Sequence, residues 1–252
     1  MSAALPDQHA QDTYDAFAGS YDEFNHAYMY ERWTGRLLER AEANGCSGER
    51  LLDVGCGTGL SFVPMLERGW RVTGCDISPQ MLDRARAKAG TGAELAVADM
   101  RELPRFGEFD LVWAVNDAMN YLLSVAEFES TLRGMRDNLA PDGRIVFDIN
   151  TLTAYRQFWS GEHVVEHEEK RFLWRGGAAE DVSSRGFYEA RFGGDGEAHV
   201  HRQRHFPPDE VLGAIAAAGL RCLDLAATVD GELDDELDED AHTKAVYVCA
   251  QA

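Results

Sequence analysis

The stretch Leu51–Gly59, LLDVGCGTG, sets three glycines at alternate positions behind an apolar run. Gly55, Gly57 and Gly59 let the backbone turn sharply and let a ligand come close to it. In the dinucleotide-binding form of such a turn, GxGxxG, the third glycine packs the helix on the strand and a pyrophosphate sits on the helix N-terminus. Here Leu60 holds that third position and the glycine comes one residue early, which disfavours a pyrophosphate. A ligand with an amino-acid end and a nucleoside end suits this turn better, because the turn carbonyls can accept from an ammonium. Asp76, in GCDIS, ends the next apolar run, where an acid accepts from both ribose hydroxyls. Nicotinamide enzymes share that acid, so Asp76 alone does not discriminate. Asp99 and Met100, in VADMRELP, suit an adenine: the carboxylate accepts from the exocyclic amine and the Met covers the ring. Asn116 and Asp117 close a further apolar run, at the strand edge where such sheets hold ligands.

These positions need a scaffold of alternating strands and helices. RLLDVGC (50–56), WRVTGCDIS (70–78), AELAVADM (93–100), FDLVWAVN (109–116) and RIVFDIN (144–150) read as strands that are apolar on both sides, as buried parallel strands are. Residues 60–69, 79–90 and 126–143 read as the helices between them, with Ser78 as N-cap and Pro79 in the first helical position. The expectation is a doubly wound α/β fold: a seven-stranded, mostly parallel sheet with helices on both faces.

Residues 1–12 look polar and frayed, and residues 13–44 read as helical, with Tyr14, Phe17, Tyr21, Phe24, Tyr28 and Trp33 near one face. After Asn150 the pattern changes to polar–apolar alternation punctuated by paired glycines, which predicts an antiparallel β insertion of about three strands. A helix at 208–219 and strands at 220–230 and 242–252 resume the core, and the acids of DGELDDELDED (230–240) read as a solvated loop. The expected organisation is an N-terminal helical cap (1–49), a cofactor-binding core (50–150), a β insertion acting as substrate lid (151–207) and a closing helix and strands (208–252).

Composition excludes several classes of function. The net charge of −20 opposes nucleic-acid phosphates and anionic membrane surfaces, and it suits a neutral or cationic small molecule. No apolar run approaches a membrane span, and the N-terminus lacks the pattern of a secretory signal, so a cytoplasmic protein is expected. The five cysteines are scattered, with no CxxC pair, and read as buried thiols rather than disulfides or metal ligands.

The segments LLDVGCGTG, GCDIS, VADMRELP and FDLVWAVNDAMNYL, in this order and spacing, resemble the class I S-adenosylmethionine-dependent methyltransferases. The resemblance covers roughly residues 14–150. The YDxFxxxYD-like segment (Tyr14–Asp22) and NDAMNYL (116–122) are similar to the small-molecule branch, which includes N-methyltransferases of amino sugars and other natural products. It implies S-adenosyl-L-methionine as cofactor. It implies Tyr21 at the cofactor carboxylate with Trp33 nearby, and Gly55, Cys56 and Gly57 along the methionine part. Asp76 is implied at the ribose, Ile77 and Met81 against the adenine, Asp99 and Met100 flanking the base, and Asn116 near the sulfonium. Core packing is the competing reading for Trp33, Ile77 and Met81.

Methyl transfer from a sulfonium is an in-line displacement, so the protein's main task is alignment, and a base is needed only for a nucleophile that rests protonated. Tyr14, Asp117 and Tyr121 are the candidate catalytic residues. Asp117 can accept from a substrate amine or cap the next helix. Tyr121 stands where amino-sugar enzymes can carry a His, a departure that counts against a proton-relay role at this position. Phe17, Asn120, Asn150, Tyr155 and Trp159 are the candidate substrate contacts. His163, His167, His199, His201 and His205 read as exposed strand histidines without a completed metal set, the alternative being a base lowered onto the pocket by the lid. The aromatic segments point to an aromatic or amine-bearing small molecule, with no nucleic-acid or membrane partner, and the insertion offers strands for pairing across a homodimer. A nicotinamide-dependent oxidoreductase and a non-catalytic cofactor-binding protein are the competing functions. RNA or protein methylation is disfavoured by the charge and by NDAM in place of an NPPF-type tetrad after the fourth strand.

Overall fold

Strand and helix alternate through the first 150 residues where the apolar periodicity places them. A computed structural model describes residues 6–177, 182–193, 199–229 and 231–252. Three helices open the chain: α1 (Pro6–Phe17), α2 (Tyr21–Phe24) and α3 (Tyr30–Ala43). There follow β1 (Arg50–Val54), α4 (Val63–Glu67), β2 (Arg71–Asp76), α5 (Pro79–Ala89), β3 (Ala93–Val97), β4 (Phe109–Ala114), α6 (Val125–Asp137) and β5 (Leu139–Asn150). The insertion comprises α7 (Leu152–Phe158), β6 (Ser160–His167), β7 (Lys170–Gly177), β8 (Phe187–Gly193) and β9 (His199–Arg204). The chain closes with α8 (Pro208–Ala217), β10 (Leu220–Val229), β11 (Glu232–Asp234) and β12 (Lys244–Gln251).

The central sheet has the order β11-β10-β12-β5-β4-β1-β2-β3. The five strands from β3 to β5 pair in parallel, and β12, β10 and β11 add antiparallel strands beyond β5. Successive strand residues feed opposite faces, as the pleat requires. Leu51, Leu111, Trp113 and Val146 pack towards α3 and α4, whereas Leu52, Val112, Ala114, Ile145 and Phe147 pack towards α6 and α8. β1, β4 and the end of β5 are therefore buried on both sides, which explains their nearly unbroken apolar sequence, whereas β3 at the sheet edge is only partly covered. Chain direction across the sheet reverses between β1 and β4, and a crevice opens there beyond the strand ends.

The doubly wound fold agrees with the expectation, and three local differences have physical causes. The helical stretch at 13–44 is broken into three pieces, with α1 already under way at Pro6, because Gly19-Ser20 and the Asn25–Met29 segment interrupt it. The insertion holds four strands in one antiparallel sheet, β6-β7-β8-β9, rather than about three. The acidic segment is not only a solvated loop. Glu232–Asp234 pairs antiparallel with β10 as an eighth, edge strand. Glu232 faces Arg32 and Arg36 of α3, and Asp235 faces Arg40 at 2.7 Å. Neutralisation by α3 lets this stretch lie against the sheet, although such exposed pairs each contribute little.

Aromatic packing seats the β insertion on the N-terminal helices: Phe17, Phe172, Phe192 and Met81 form a small core between α1, β7, β8 and α5. The Thr13 hydroxyl donates to the Val200 carbonyl at 2.8 Å, tying α1 to β9. Among the described residues no helix is long and apolar enough to cross a membrane.

Candidate active site

Two cavities meet at the switch point. The smaller, about 420 Å³, lies over the β1 and β2 ends and is lined by Gly55, Gly57, Asp76, Ile77, Asp99, Met100 and Asn116, with Tyr14, Tyr21 and Tyr121. The larger, about 800 Å³, is roofed by the insertion and lined by Phe17, Trp33, Asp117, Asn150, Trp159, Trp174, His201 and Lys244, among others. Tyr14, Tyr21, Asn116 and Tyr121 line both cavities and form their common wall.

The glycine turn is held by backbone bonds: the Gly55 and Cys56 amides both donate to the Cys75 carbonyl, at 2.8 and 2.9 Å. Gly57 has φ +53°, and a Cβ built there would meet nothing within 4 Å, so the turn presents bare backbone to the smaller cavity. Gly59 is required for another reason. At φ +88° a Cβ would lie 2.7 Å from the Phe62 ring, which the turn packs beneath itself.

Asp76 is buried at the end of β2 and accepts from the Gly57 amide at 2.8 Å and the Ser78 amide at 2.9 Å. Burial pushes its pKa up to about 6, against the lowering pull of those amides. Its two oxygens have acceptor sites beyond these two bonds. Ser78 caps α5 as expected, accepting from the Met81 amide at 3.1 Å. Asp99 lines the smaller cavity and is gripped by the Arg101 guanidinium, Nε lying 2.9 and 3.0 Å from its two oxygens. Burial alone would raise the Asp99 pKa, but the bonds from Arg101 outweigh it and hold the carboxyl below its ordinary value.

The end of β4 is strained. Asn116 and Asp117 both adopt left-handed backbone, φ +59° and +56°. That region is uncommon for a side-chain-bearing residue, and Asn and Asp tolerate it best. Asp148, fully buried on β5, holds both residues there: its oxygens accept from the Asn116 amide at 2.8 Å and the Asp117 amide at 2.7 Å. Asp148 also accepts from the Trp33 indole at 3.0 Å and from Lys244 at 3.0 Å. Lys244, at the start of β12, bonds Asp117 as well, at 2.7 Å. Burial by itself would lower the Lys244 pKa, but the two carboxylates outweigh that and raise it, so the ammonium stays charged. Gln203 completes the cluster, donating to Asp117 at 2.6 Å. Asp117 occupies the cap position of the 3₁₀ turn Ala118–Tyr121, yet its side chain makes no capping bond.

On the common wall, Tyr21 and Tyr30 share a hydrogen bond at 3.1 Å, and the Asn116 amide donates to the Tyr30 hydroxyl at 2.9 Å. The Tyr121 hydroxyl lies 2.9 Å from His201 Nδ1. Burial raises the pKa of Tyr14, Tyr21 and Tyr121, that of Tyr21 to about 12, and keeps them neutral phenols near pH 7.

The structure brings most of the expected residues to these cavities and moves five away from their expected contacts. Cys56 is buried beneath the turn and lines neither cavity. Met81 is buried against Phe17 and the lid, because one helical turn into α5 its side chain faces the cap. Trp33 reaches the larger cavity rather than the smaller. Asn120 is fully buried and spent on structure: its amide donates to the Tyr155 hydroxyl and the Arg204 carbonyl, both at 3.0 Å, and its oxygen accepts from the Asn150 amide at 2.8 Å. Tyr155 belongs to the same clamp and lines neither cavity. Two of the histidines expected at the surface are buried: His201 in the larger cavity, and His205, bonded to Glu239 at 2.7 Å. Asp148, Lys244, Gln203 and Tyr30 escaped the sequence reading. For Asp148 and Lys244 the signal was present: Asp148 interrupts the apolar run that ends β5, and Lys244 is the one charged residue of β12.

Comparison with known proteins addresses what this arrangement is for. A family model described as a methyltransferase domain matches residues 51–143. A protein of Geobacillus sp. (strain WCH70), assigned as a methyltransferase without a named substrate, is 31% identical over 239 residues, covering 90% of this chain and 96% of that protein. An S-adenosylmethionine-dependent methyltransferase from Clostridium acetobutylicum has a similar fold, with a TM-score of 0.78 at 21% identity, covering 94% of this chain and 98% of that one. The S-adenosylmethionine-bound amino pentose methyltransferase of Micromonospora echinaspora superposes with a TM-score of 0.71 at 23% identity, covering 94% and 97%. The cavity over the glycine turn fits the cofactor of these enzymes. It offers bare backbone at Gly57 for a methionine end, the Asp76 carboxylate for a ribose, and Ile77 with Met100 for a base. A relative matched over nearly its whole length fixes the family, and the chain therefore belongs to the S-adenosylmethionine-dependent methyltransferases.

Proposed function

We propose that the chain methylates an amine nitrogen of a small, partly apolar natural product bound in the larger cavity. The observation that carries this reading is the charge at the cavity floor. Asp117 and Asp148 oppose one ammonium, Lys244, leaving one net negative charge on side chains that are mostly buried. A substrate ammonium compensates it. Aromatic rings from α1, α2 and the lid line the rest of the cavity and favour a cation over their faces. An oxyanion nucleophile, which methylation at a phenol or enol requires, would be repelled by the same charge. The two cationic side chains lining this cavity, Arg32 and Lys244, are each ion-paired to carboxylates. The amino pentose substrate of one structural neighbour supports the same direction.

Roles follow for the residues on the wall. S-adenosylmethionine, when bound, supplies a methyl group already activated on sulfur. Gly55, Gly57, Asp76, Ile77, Asp99, Met100 and Asn116 hold it in the smaller cavity, with Tyr21 at its amino-acid end. Tyr14 and Tyr121 orient the acceptor nitrogen, Asp117 attracts it, and Phe17, Asn150 and Trp159 shape the pocket around the remainder. Alignment of this kind can contribute up to ~7–11 kcal/mol without any covalent step by the protein.

The test is transfer of labelled methyl from S-adenosylmethionine to a panel of amino sugars and arylethylamines, set against alcohols of the same shape. Label on the amines alone is the expected result. With Asp117→Asn, the kcat/KM for the best amine falls at least about tenfold, the loss of one buried charge contact. Label on the alcohols, or no label on any amine, contradicts the proposal.

A further inference from the structure

The substrate cavity contains a titratable side chain to which alignment alone assigns no task. His201, on lid strand β9, is about 1% exposed and lines the larger cavity. Its Nδ1 lies 2.9 Å from the hydroxyl of Tyr121, a residue on the wall between the two cavities. Five aromatic rings surround the imidazole: Phe17 at 5.4 Å, Tyr14 at 5.6 Å, Tyr121 at 6.2 Å, Trp174 at 5.2 Å and Phe192 at 6.4 Å between centroids.

We infer that Tyr121 and His201 form a proton relay, so that the β lid supplies the group that deprotonates the bound amine. The inference rests on the amine reading above. A cavity with a net negative floor selects the protonated amine, and an ammonium has no lone pair to attack with. Tyr121 cannot itself hold the proton or act as a phenolate base, because burial keeps its hydroxyl neutral. It can pass one on. As an ammonium N–H bond breaks, its proton goes to the Tyr121 oxygen, and the phenol proton moves to His201 Nδ1. The phenol ends unchanged, the imidazole ends as imidazolium, and the nitrogen keeps the lone pair that methyl transfer requires. The imidazolium returns its proton to solvent when the product leaves.

The surroundings suit a transient cation at His201. Among the described residues, the titratable groups packed against it include Tyr14 from α1 and Tyr121 from the turn after β4, while α1 also contributes Phe17, β7 Trp174 and β8 Phe192. The carboxylate of Asp117 acts electrostatically on both Tyr14 and Tyr121. The ring faces suit a transient cation at this position. Position is secured by the bond from Thr13 to Val200, next to His201 in the chain, and by the bond from Gln203 to Asp117.

The test is nitrogen-15 NMR of the histidine side chains in the full chain with S-adenosylhomocysteine bound, His201→Phe assigning the signal. Phenethylamine is the probe. The expected result is a titrating His201 whose neutral form has Nδ1 unprotonated. Adding the protonated amine then raises the imidazolium fraction, and Tyr121→Phe removes that response while leaving a titrating imidazole. A His201 signal in one protonation state from pH 5 to 9, unmoved by the amine, overturns the relay. So does a response that survives Tyr121→Phe. Kinetics give the second readout: on any amine that is methylated, His201→Phe lowers kcat at least about tenfold and removes the acidic limb of its pH profile, with KM for the cofactor unchanged. An amine that is never methylated defeats the amine reading, whereas an NMR response without turnover leaves the relay standing.

Discussion

Asp76 shows how one residue carries two opposite pH dependences. Its folded pKa is raised to about 6 from the ordinary 3.8 because it is buried. Between those values the folded chain keeps a proton that the unfolded chain has lost, so this group's contribution to stability falls as pH rises through that window. Its proposed role at a ribose runs the other way, since accepting from two hydroxyls needs the ionised carboxylate. Affinity for S-adenosylhomocysteine is therefore expected to fall as pH drops from 7 to 5, and Asp76→Asn is expected to bind weakly with a nearly flat profile. Calorimetric titration across that range checks it, and an affinity independent of pH in the unmodified protein would remove Asp76 from the site. Asp76 was legible in the sequence because an acid closing an apolar strand has few other uses. Asn120 was misread because its neighbours in sequence, Asp117 and Tyr121, do reach the cavity. Which side chains of a short turn face inwards depends on its backbone, and composition does not encode that.

At the level of elements, the Asn120 clamp joins the turn after β4 to β5, α7 and β9. All its partners are buried, so truncation leaves the Asn150 amide and the Arg204 carbonyl short of a bond. Asn120→Ala is expected to cost about 2–4 kcal/mol, several times a solvent-exposed hydrogen bond. Urea denaturation measures it, and a loss under about 0.5 kcal/mol would mean that water replaces the clamp. Affinity for the cofactor should change little, since Asn120 lines neither cavity. Core elements were legible because two-sided burial writes itself into strand composition, and the Ser78–Pro79 start of α5 is a local signal read locally. The break between α1 and α3 and the short β11 were not. The first is marked locally only by Gly19-Ser20 and the Asn25–Met29 segment, on either side of which Phe17 packs with the β insertion and Trp33 with the sheet. The second depends on Arg32, Arg36 and Arg40, which lie some two hundred residues earlier in the chain.

Across the whole molecule, the reaction centre is assembled from distant parts of the chain. β1, β2 and β3 lead to the smaller cavity, while the N-terminal helices, β4, β5, the β insertion and β12 contribute to the larger one. Asp148 and Lys244 show why the second set is harder to read. Asp148 was visible as an acid breaking an apolar run and Lys244 as the one charge of β12, but their meaning lies in meeting Asp117 across three strands of the sheet. The central claim, that the crevice at the β1–β4 switch point is an S-adenosylmethionine site, is tested most directly by isothermal titration of the purified chain with S-adenosylhomocysteine, with NAD⁺ as the control ligand. One molecule of S-adenosylhomocysteine bound per chain, with no heat from NAD⁺, is the predicted result. A folded chain that ignores S-adenosylhomocysteine, or that binds NAD⁺ in its place, would contradict it.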